Sequence, residues 1–255
     1  MKPAARFRNR HIDTLRPHPG PVPPQELPFG IKGKSGALRA AIFGVNDGLV
    51  SNLSLIMGFA GAAVSNRVIL LAGVAGLLAG AFSMAAGEYI SMQNQRELFE
   101  RLLHLEAHEL ATEPEEERRE LEEIYERKGF PPHLAREVTN VVMKDPEMAL
   151  ETHAREELGL DPEELGSPIG AASSSFITFA AGAGVPLLPF VFGSGAGAAL
   201  VAVSASGLAL IAVGAGLSFL TGRGPWLSAL RQLLVGAVAA GVTFAVGRAL
   251  HVSTA

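Results

Sequence analysis

The sequence predicts an all-α, polytopic membrane protein with five transmembrane helices and a helical, cytoplasmic insert between helices 2 and 3. Two observations carry this prediction. No charged residue occurs between Gly166 and Gly222, a stretch of 57 positions. In contrast, 21 of the 25 acidic residues lie between Arg96 and Glu164, where nine Lys and Arg leave a local net charge of −12. A strongly anionic module therefore interrupts a series of hydrophobic segments.

Five segments are long and apolar enough to cross a bilayer, which takes about 20 residues as a helix. The first two are Ala40–Val64, apolar apart from Asp47, and Val68–Gly87. The uncharged stretch has room for two further crossings, and Leu227–Leu250 is the fifth. Residues that break helices predict the turn between the third and fourth crossings, namely Pro186, Pro189, Gly193 and Gly195.

These boundaries divide the chain into four regions. Residues 1–36 form a basic, Pro-rich tail that is predicted to be disordered, 37–95 hold helices 1 and 2, 96–165 form the acidic domain, and 166–255 hold helices 3–5. The basic tail predicts a cytoplasmic N-terminus, because Lys and Arg concentrate on the cytoplasmic side of membrane spans. Five crossings then make the acidic domain cytoplasmic and the C-terminus external. The bias toward Ala, Gly and Arg predicts a bacterial plasma membrane.

The acidic domain reads as a series of helices separated by proline. Helix 2 is predicted to continue into the cytoplasm through residues 93–111, and Pro114 opens the next helix, which ends near Gly129. Two shorter helices begin at Pro132 and Pro146. The domain is therefore predicted to consist of packed helices, on which residues three or four positions apart share a face.

Carboxylate and imidazole spacing in this domain predicts a metal site. Glu106 and Glu109 are spaced i,i+3, Glu117 and Glu120 repeat that spacing on the next helix, and His153 and Glu157 are spaced i,i+4 on the last helix. Oxygen and imidazole ligands suit hard and borderline divalent cations. The alternative on spacing alone is a solvated acidic face whose glutamates pair with arginines, namely Arg118, Arg119, Arg127 and Arg155.

Polar residues inside the first two spans predict an ion pathway. A carboxylate in hydrocarbon is costly, so Asp47 marks a pathway or a buried partner, and Ser51 lies on its helical face. Met84 in the second span offers a thioether, and Glu88 follows one turn later. Core packing is the alternative explanation for Met84, because methionine fills gaps well.

Small residues in the same two spans predict close contacts between helices. The pairs Gly44/Gly48 and Gly76/Gly80 have the G-x-x-x-G spacing. Five helices cannot be divided into two equal repeats, so a pore at the interface of a homodimer is a hypothesis that follows from the count.

Two motifs carry a family resemblance. Asp47-Gly48-Leu49-Val50-Ser51-Asn52 and the segment Ala79–Ser91, with Ser83-Met84-Ala85-Ala86-Gly87-Glu88-Tyr89 at its centre, resemble the vacuolar iron transporter family. The Glu-rich insert and its terminal Glu156-Glu157-Leu158-Gly159-Leu160 are similar as well, so the likeness extends over about residues 38–250. Plant members of that family have methionines just before the last glutamate, where this chain has His153 and Ala154.

The resemblance implies a homodimeric transporter, not an enzyme. It implies export of Fe²⁺ from the cytoplasm, coupled to proton influx, with Mn²⁺ and other divalent metals as further substrates and no resident cofactor. Because they match the motifs of that family by position, Asp47 and Met84 are implied as residues of the ion pathway. The ligands implied in the insert are Glu106, Glu109, Glu117, Glu120 and Glu157, with His153 in place of a methionine. The partners expected are metal ions, protons, the lipid bilayer and a second copy, but no nucleic acid.

Two alternatives belong to other functional classes. The insert could be a membrane-anchored di-iron carboxylate oxidase, although the Glu-x-x-His pairs typical of such sites do not occur where that motif would need them. It could also be a metal-binding or buffering protein that the spans merely anchor. Asp47 argues against an inert anchor, because an anchor has no need of a carboxylate in mid-span.

Overall fold

The structure of the protein is a computed structural model that describes residues 35–160, 166–222 and 224–250. The predicted tail, residues 1–34, lies outside the described residues. The described parts form eight α-helices, which are α1 (Ser35–Gly61), α2 (Asn66–Thr112), α3 (Pro114–Arg127), α4 (Pro132–Val142), α5 (Pro146–Glu156), α6 (Pro168–Phe192), α7 (Gly195–Thr221) and α8 (Pro225–Leu250).

Five of these helices have the length and composition of membrane spans, as predicted. They are α1, α2, α6, α7 and α8, and the three short helices α3–α5 lie between the second and third spans in the chain. Large apolar side chains project from the spans, among them Phe192 (87% exposed), Trp226 (85%) and Leu71 (71%). Such surfaces suit contact with lipid, where no water penalises an exposed apolar side chain. The all-α membrane fold is therefore confirmed.

The turn between the third and fourth spans lies later than predicted. Pro186 and Pro189 are inside α6, which continues to Phe192, and the break falls at Gly193 and Ser194. The expectation that both prolines form the turn is therefore wrong. Proline is tolerated inside a transmembrane helix, because neighbouring helices compensate for the lost backbone hydrogen bond. Pro186 is fully buried against such neighbours.

Helix α1 is the centre of the membrane bundle and contacts α2, α6, α7 and α8. Its most extensive contact is with α6, where glycine allows the two backbones to touch. A Cβ atom on Gly48 would overlap the carbonyl oxygen of Phe179 and lie 2.8 Å from the backbone nitrogen of Ala183. The predicted role of Gly44 and Gly48 in helix contact is confirmed. Gly80 likewise accommodates the ring of Phe179.

Helix α2 connects the membrane bundle to the insert without a break. Its 47 residues correspond to about 70 Å at 1.5 Å per residue, more than twice the thickness of the hydrocarbon core. The predicted continuation of the second span into the insert is thus confirmed. The insert has its own small core of Leu121, Val142 and Ala149, against which Leu110 of α2 also packs.

Glycine contacts between α1 and α6 make a testable prediction about stability. A Cβ atom on Gly182 would overlap the carbonyl oxygen of Val45 and lie 3.0 Å from the backbone nitrogen of Leu49, whereas a Cβ on Gly184 meets only open space. We expect Gly182→Ala to destabilise the bundle by about 1–3 kcal/mol, the usual effect of overpacking. Gly184→Ala is the matched control, since it makes the same change on the same helix.

Thermal unfolding of both variants in detergent, followed by size-exclusion chromatography, measures the difference. Gly182→Ala should lower the unfolding temperature, whereas Gly184→Ala should leave it unchanged or slightly higher, because alanine favours helix over glycine. Equal unfolding temperatures for the two variants would contradict the assigned contact.

Candidate metal centre

Three helices of the insert bring four potential metal ligands together. Glu106 comes from the C-terminal half of α2, Glu117 from the first half of α3, His153 from the last turn of α5, and Glu157 directly follows α5. One ligand atom from each residue lies within 4.8 Å of the ligand atoms of the others. The sequence predicted all four residues as ligands, but it could not show that they meet at one point.

Local sequence explains why these helices converge. Pro114 occupies the first turn of α3, where a missing backbone N–H is tolerated, so α3 starts immediately after α2 ends at Thr112. Asp145 caps α5 by accepting a hydrogen bond from the backbone nitrogen of Glu147 at 3.0 Å. The small core of the insert then packs α3, α4 and α5 together, which directs His153 toward the carboxylates of α2 and α3.

His153 lies at the middle of the cluster. Its side chain is fully buried, and Nδ1 lies 3.1 Å from Glu106 Oε1 and 3.5 Å from both Glu117 Oε2 and Glu157 Oε2. Among the described residues, neither ring nitrogen has a hydrogen-bond partner of acceptable geometry, and Glu106 Oε1 also lacks one. Buried polar atoms without partners are rare in folded proteins, so a cation or proton is needed to complete this site.

The spacing within the cluster fits a single metal ion. Ligand atoms about 2.1 Å from one ion, in tetrahedral or octahedral geometry, lie about 3.0–3.4 Å apart. The distances from His153 Nδ1 to the three carboxylates, 3.1–3.5 Å, are close to that range. Three carboxylates and one imidazole are a donor set that suits a hard or borderline divalent cation.

Burial and neighbouring charges shift the pKa values of these residues. Burial and the neighbouring Glu106 raise the pKa of Glu117 to about 7, even though His153 acts in the opposite direction. Burial, Glu106 and Glu120 also raise the pKa of Glu157. For His153, burial acts to lower the pKa, but its contacts with Glu106, Glu157 and Glu117 outweigh burial and raise it. A cation that binds this cluster near neutral pH therefore competes with a proton.

The remaining two predicted ligands lie outside the cluster. Glu109 and Glu120 are both exposed. Glu120 is close enough for its charge to raise the pKa values of Glu117 and Glu157. Other acidic residues form the solvated face that spacing alone allowed, since Arg118 and Arg119 pair with Glu115 and Glu116 on the surface of α3. The insert thus combines a solvated acidic surface with a buried centre.

Three of the four predicted pathway residues of the membrane lie around one open cleft of about 310 Å³. Asp47 and Ser51 of α1 face Met84 of α2 across it, and Phe179 of α6 contributes to its wall. The Ser51 hydroxyl donates a hydrogen bond to the backbone oxygen of Asp47 at 2.6 Å. The apolar spans therefore enclose a carboxylate, a hydroxyl and a thioether at one place.

Two further polar residues line the cleft, Asn52 and Ser83, although the sequence did not identify them as pathway residues. The sequence could have identified both, because each is a polar residue directly next to a predicted pathway residue. Glu88 does not line the cleft. It lies one turn beyond Met84, and one of its carboxylate oxygens is 3.2 Å from a guanidinium nitrogen of Arg39.

The raised pKa values predict that the insert binds metal more weakly in acid. Below about pH 7, Glu117 carries a proton that a metal ion must displace, and His153 and Glu157 titrate above their usual values. The dissociation constant for Co²⁺, measured by isothermal titration calorimetry on the full-length protein, should therefore fall at least about tenfold between pH 6 and pH 8.

Glu117→Gln should weaken Co²⁺ binding at pH 8 and make that binding less dependent on pH, because glutamine has no carboxyl proton for the metal ion to displace. Glu115→Gln on the same helix is the control, since Glu115 is 84% exposed and pairs with Arg118. A pH dependence in Glu117→Gln as steep as in the unmodified protein would contradict the assignment.

Comparisons with known proteins identify the family of the chain. A sequence model of the VIT family matches residues 38–248. Among relatives, a vacuolar iron transporter of Acanthamoeba castellanii is 37% identical over 224 residues, which cover 84% of this chain and 79% of that protein. Vacuolar iron transporter 1 of Eucalyptus grandis is 34% identical over 215 residues, covering 84% of this chain and 86% of the relative.

Vacuolar iron transporter 1 of Arabidopsis thaliana is 32% identical over 215 residues, again with 84% of this chain and 86% of the relative covered. These relatives are named as transporters, in agreement with the prediction that the chain is not an enzyme. The match extends over all five spans and the insert. The chain belongs to the VIT family.

Proposed function

We propose that this protein exports Fe²⁺ from the cytoplasm in exchange for protons, with Mn²⁺ and other divalent metals as further substrates. One observation carries the proposal: a single helix, α2, contributes Glu106 to the centre of the insert and Met84 to the membrane cleft. The two residues are separated by about 33 Å along the helix axis at 1.5 Å per residue. The names of the relatives, vacuolar iron transporters, support iron as the cargo.

Capture begins at the acidic insert. Its net charge of −12 attracts divalent cations and raises their concentration at the mouth of the transporter. Glu106, Glu117, His153 and Glu157 then bind the ion, which relieves the repulsion among the three carboxylates. Glu109 and Glu120, exposed nearby, act as outer ligands during loading.

The membrane step uses Asp47, Ser51, Met84 and Glu88. Glu88 receives the ion near the cytoplasmic end of the spans, and Met84 and Asp47 hold it in the cleft, where the Ser51 hydroxyl assists. A charged carboxylate is costly in hydrocarbon, so Asp47 is best accommodated with either a metal ion or a proton. Alternation of Asp47 between these two states exchanges the cation for protons.

Orientation and assembly complete the proposal. The basic tail and the acidic insert face the cytoplasm, the C-terminus lies outside, and the membrane is a bacterial plasma membrane. This orientation is supported by the distribution of Lys and Arg. The protein acts as a homodimer, in which a second copy closes the cleft between α1 and α2. The openness of that cleft in a single chain supports this arrangement.

The central test is transport by the protein in liposomes with an imposed pH gradient. Fe²⁺ uptake and proton release are measured together under anaerobic conditions, for the unmodified protein and for Asp47→Ala. We expect gradient-driven Fe²⁺ uptake that Asp47→Ala reduces to the rate of protein-free liposomes, because the exchange step is lost. Co²⁺ binding to the insert should persist in Asp47→Ala, which shows that the variant is folded.

Transport at the unmodified rate in Asp47→Ala would refute the proposed path. Absence of flux from both proteins, with metal binding intact, would identify a membrane-anchored metal-binding protein instead. Oxygen consumption on addition of Fe²⁺ would then point to an oxidase.

Substitutions in the insert should have a different kinetic effect from Asp47→Ala. His153→Ala removes a buried ligand but leaves the membrane cleft intact. We therefore expect the half-saturating Fe²⁺ concentration to rise at least about tenfold, with little change in the maximal rate. Glu115→Gln is again the control and should transport as the unmodified protein does. A large loss of maximal rate in His153→Ala would contradict a role in capture alone.

A further inference from the structure

We propose that Asn52 is a ligand of the transported ion in the membrane cleft, through a side-chain oxygen whose direction is fixed by α6. This inference rests on the proposed transport function. It adds a neutral oxygen ligand to the pathway residues predicted from the sequence, and it assigns that ligand a part in the choice among divalent metals.

Helix α6 fixes the orientation of the Asn52 side chain. Asn52 is only 2% exposed, and its Nδ2 donates a hydrogen bond of 2.7 Å to the backbone oxygen of Ala183. A carbonyl oxygen can only accept, so the nitrogen of the amide must be the atom that faces Ala183. The orientation of the Asn52 amide is therefore fixed, and Oδ1 points away from the backbone oxygen of Ala183.

The Oδ1 atom of Asn52 has no donor in the described part of the chain. It lies beside Gly76 of α2, since a Cβ atom built on Gly76 would be 3.0 Å from it. Asn52 and Gly76 both line the cleft that contains Asp47 and Met84. A buried acceptor without a donor is unfavourable by itself, and a cation in the cleft satisfies it.

An amide oxygen supplies chemistry that the other ligands lack. Asp47 changes charge when it exchanges a metal ion for a proton, whereas the amide stays neutral and keeps its affinity for cations. As an oxygen donor, Asn52 favours hard ions such as Mn²⁺, while the thioether of Met84 favours soft ions such as Cd²⁺. The balance between these two residues then sets selectivity, with Fe²⁺ between the two extremes.

Asn66 provides a control that distinguishes a ligand role of Asn52 from a purely structural role. Its Nδ2 also donates to a backbone oxygen of α6, that of Phe190 at 3.1 Å, and its Oδ1 also lacks a donor within the described residues. It lines a different cavity, however, and none of the described residues around that cavity carries a carboxylate. Asn66→Ala is therefore a matched control for loss of a bond between helices.

The test measures initial rates of Mn²⁺ and Cd²⁺ uptake into liposomes under the same pH gradient. We expect Asn52→Ala to raise the KM for Mn²⁺ at least about tenfold, the size typical of losing one polar partner of a charged group, with a much smaller change for Cd²⁺. Met84→Ala should do the reverse. Asn66→Ala should leave the ratio of the two KM values unchanged.

Gly76→Ala provides a second variant that keeps the bond between Asn52 and Ala183. The added methyl group crowds Oδ1 and the flexible end of Leu55, so it should reproduce the selective loss of Mn²⁺ transport. An unchanged ratio of KM values in Asn52→Ala would overturn the inference. If Asn52→Ala fails to fold, an unchanged ratio in Gly76→Ala overturns it equally. If the unmodified protein transports none of Mn²⁺, Cd²⁺ and Fe²⁺, the proposed function is refuted, and the inference with it.

Discussion

The continuity of α2 is the constraint on which the rest of the structure depends. A helix of 47 residues satisfies its own backbone hydrogen bonds throughout, so it can leave the hydrocarbon and enter water without a break. Gly76 and Met84 face the membrane cleft from this helix, and Glu106 faces the centre of the insert. Because one continuous helix contributes to both sites, it sets the spacing between Met84 and Glu106 along its axis.

The two sites handle charge in opposite ways. In the insert, Glu106 and Glu117 are buried at 2% and 6% exposure next to a fully buried His153, so repulsion among the carboxylates is high until a cation arrives. In the membrane, one carboxylate stands among neutral polar groups, and the surrounding apolar helices resist a bare charge. The insert therefore concentrates negative charge in a buried cluster, whereas the cleft holds a single carboxylate among neutral groups.

Helix packing explains how the cleft keeps its shape. Backbone contact at Gly48 and Gly182 brings α1 so close to α6 that Asn52 reaches the carbonyl oxygen of Ala183. The same approach puts the ring of Phe179 against Gly80 of α2. Three helices are thereby fixed around one small volume, and larger side chains at these glycines would separate them. The small residues of the spans thus serve the site as well as the bundle.

Much of this protein was determined by the sequence alone. Charge and hydropathy identified five spans and an acidic insert, since a bilayer imposes length and polarity on every helix, and proline spacing located the starts of α3, α4 and α5. Only the tertiary structure decided which of six predicted ligands share one centre, because helical spacing defines a face but not the angle between helices. It also placed Pro186 inside α6 and paired the Asn52 amide nitrogen with the backbone oxygen of Ala183, since both depend on neighbouring helices that are distant in sequence.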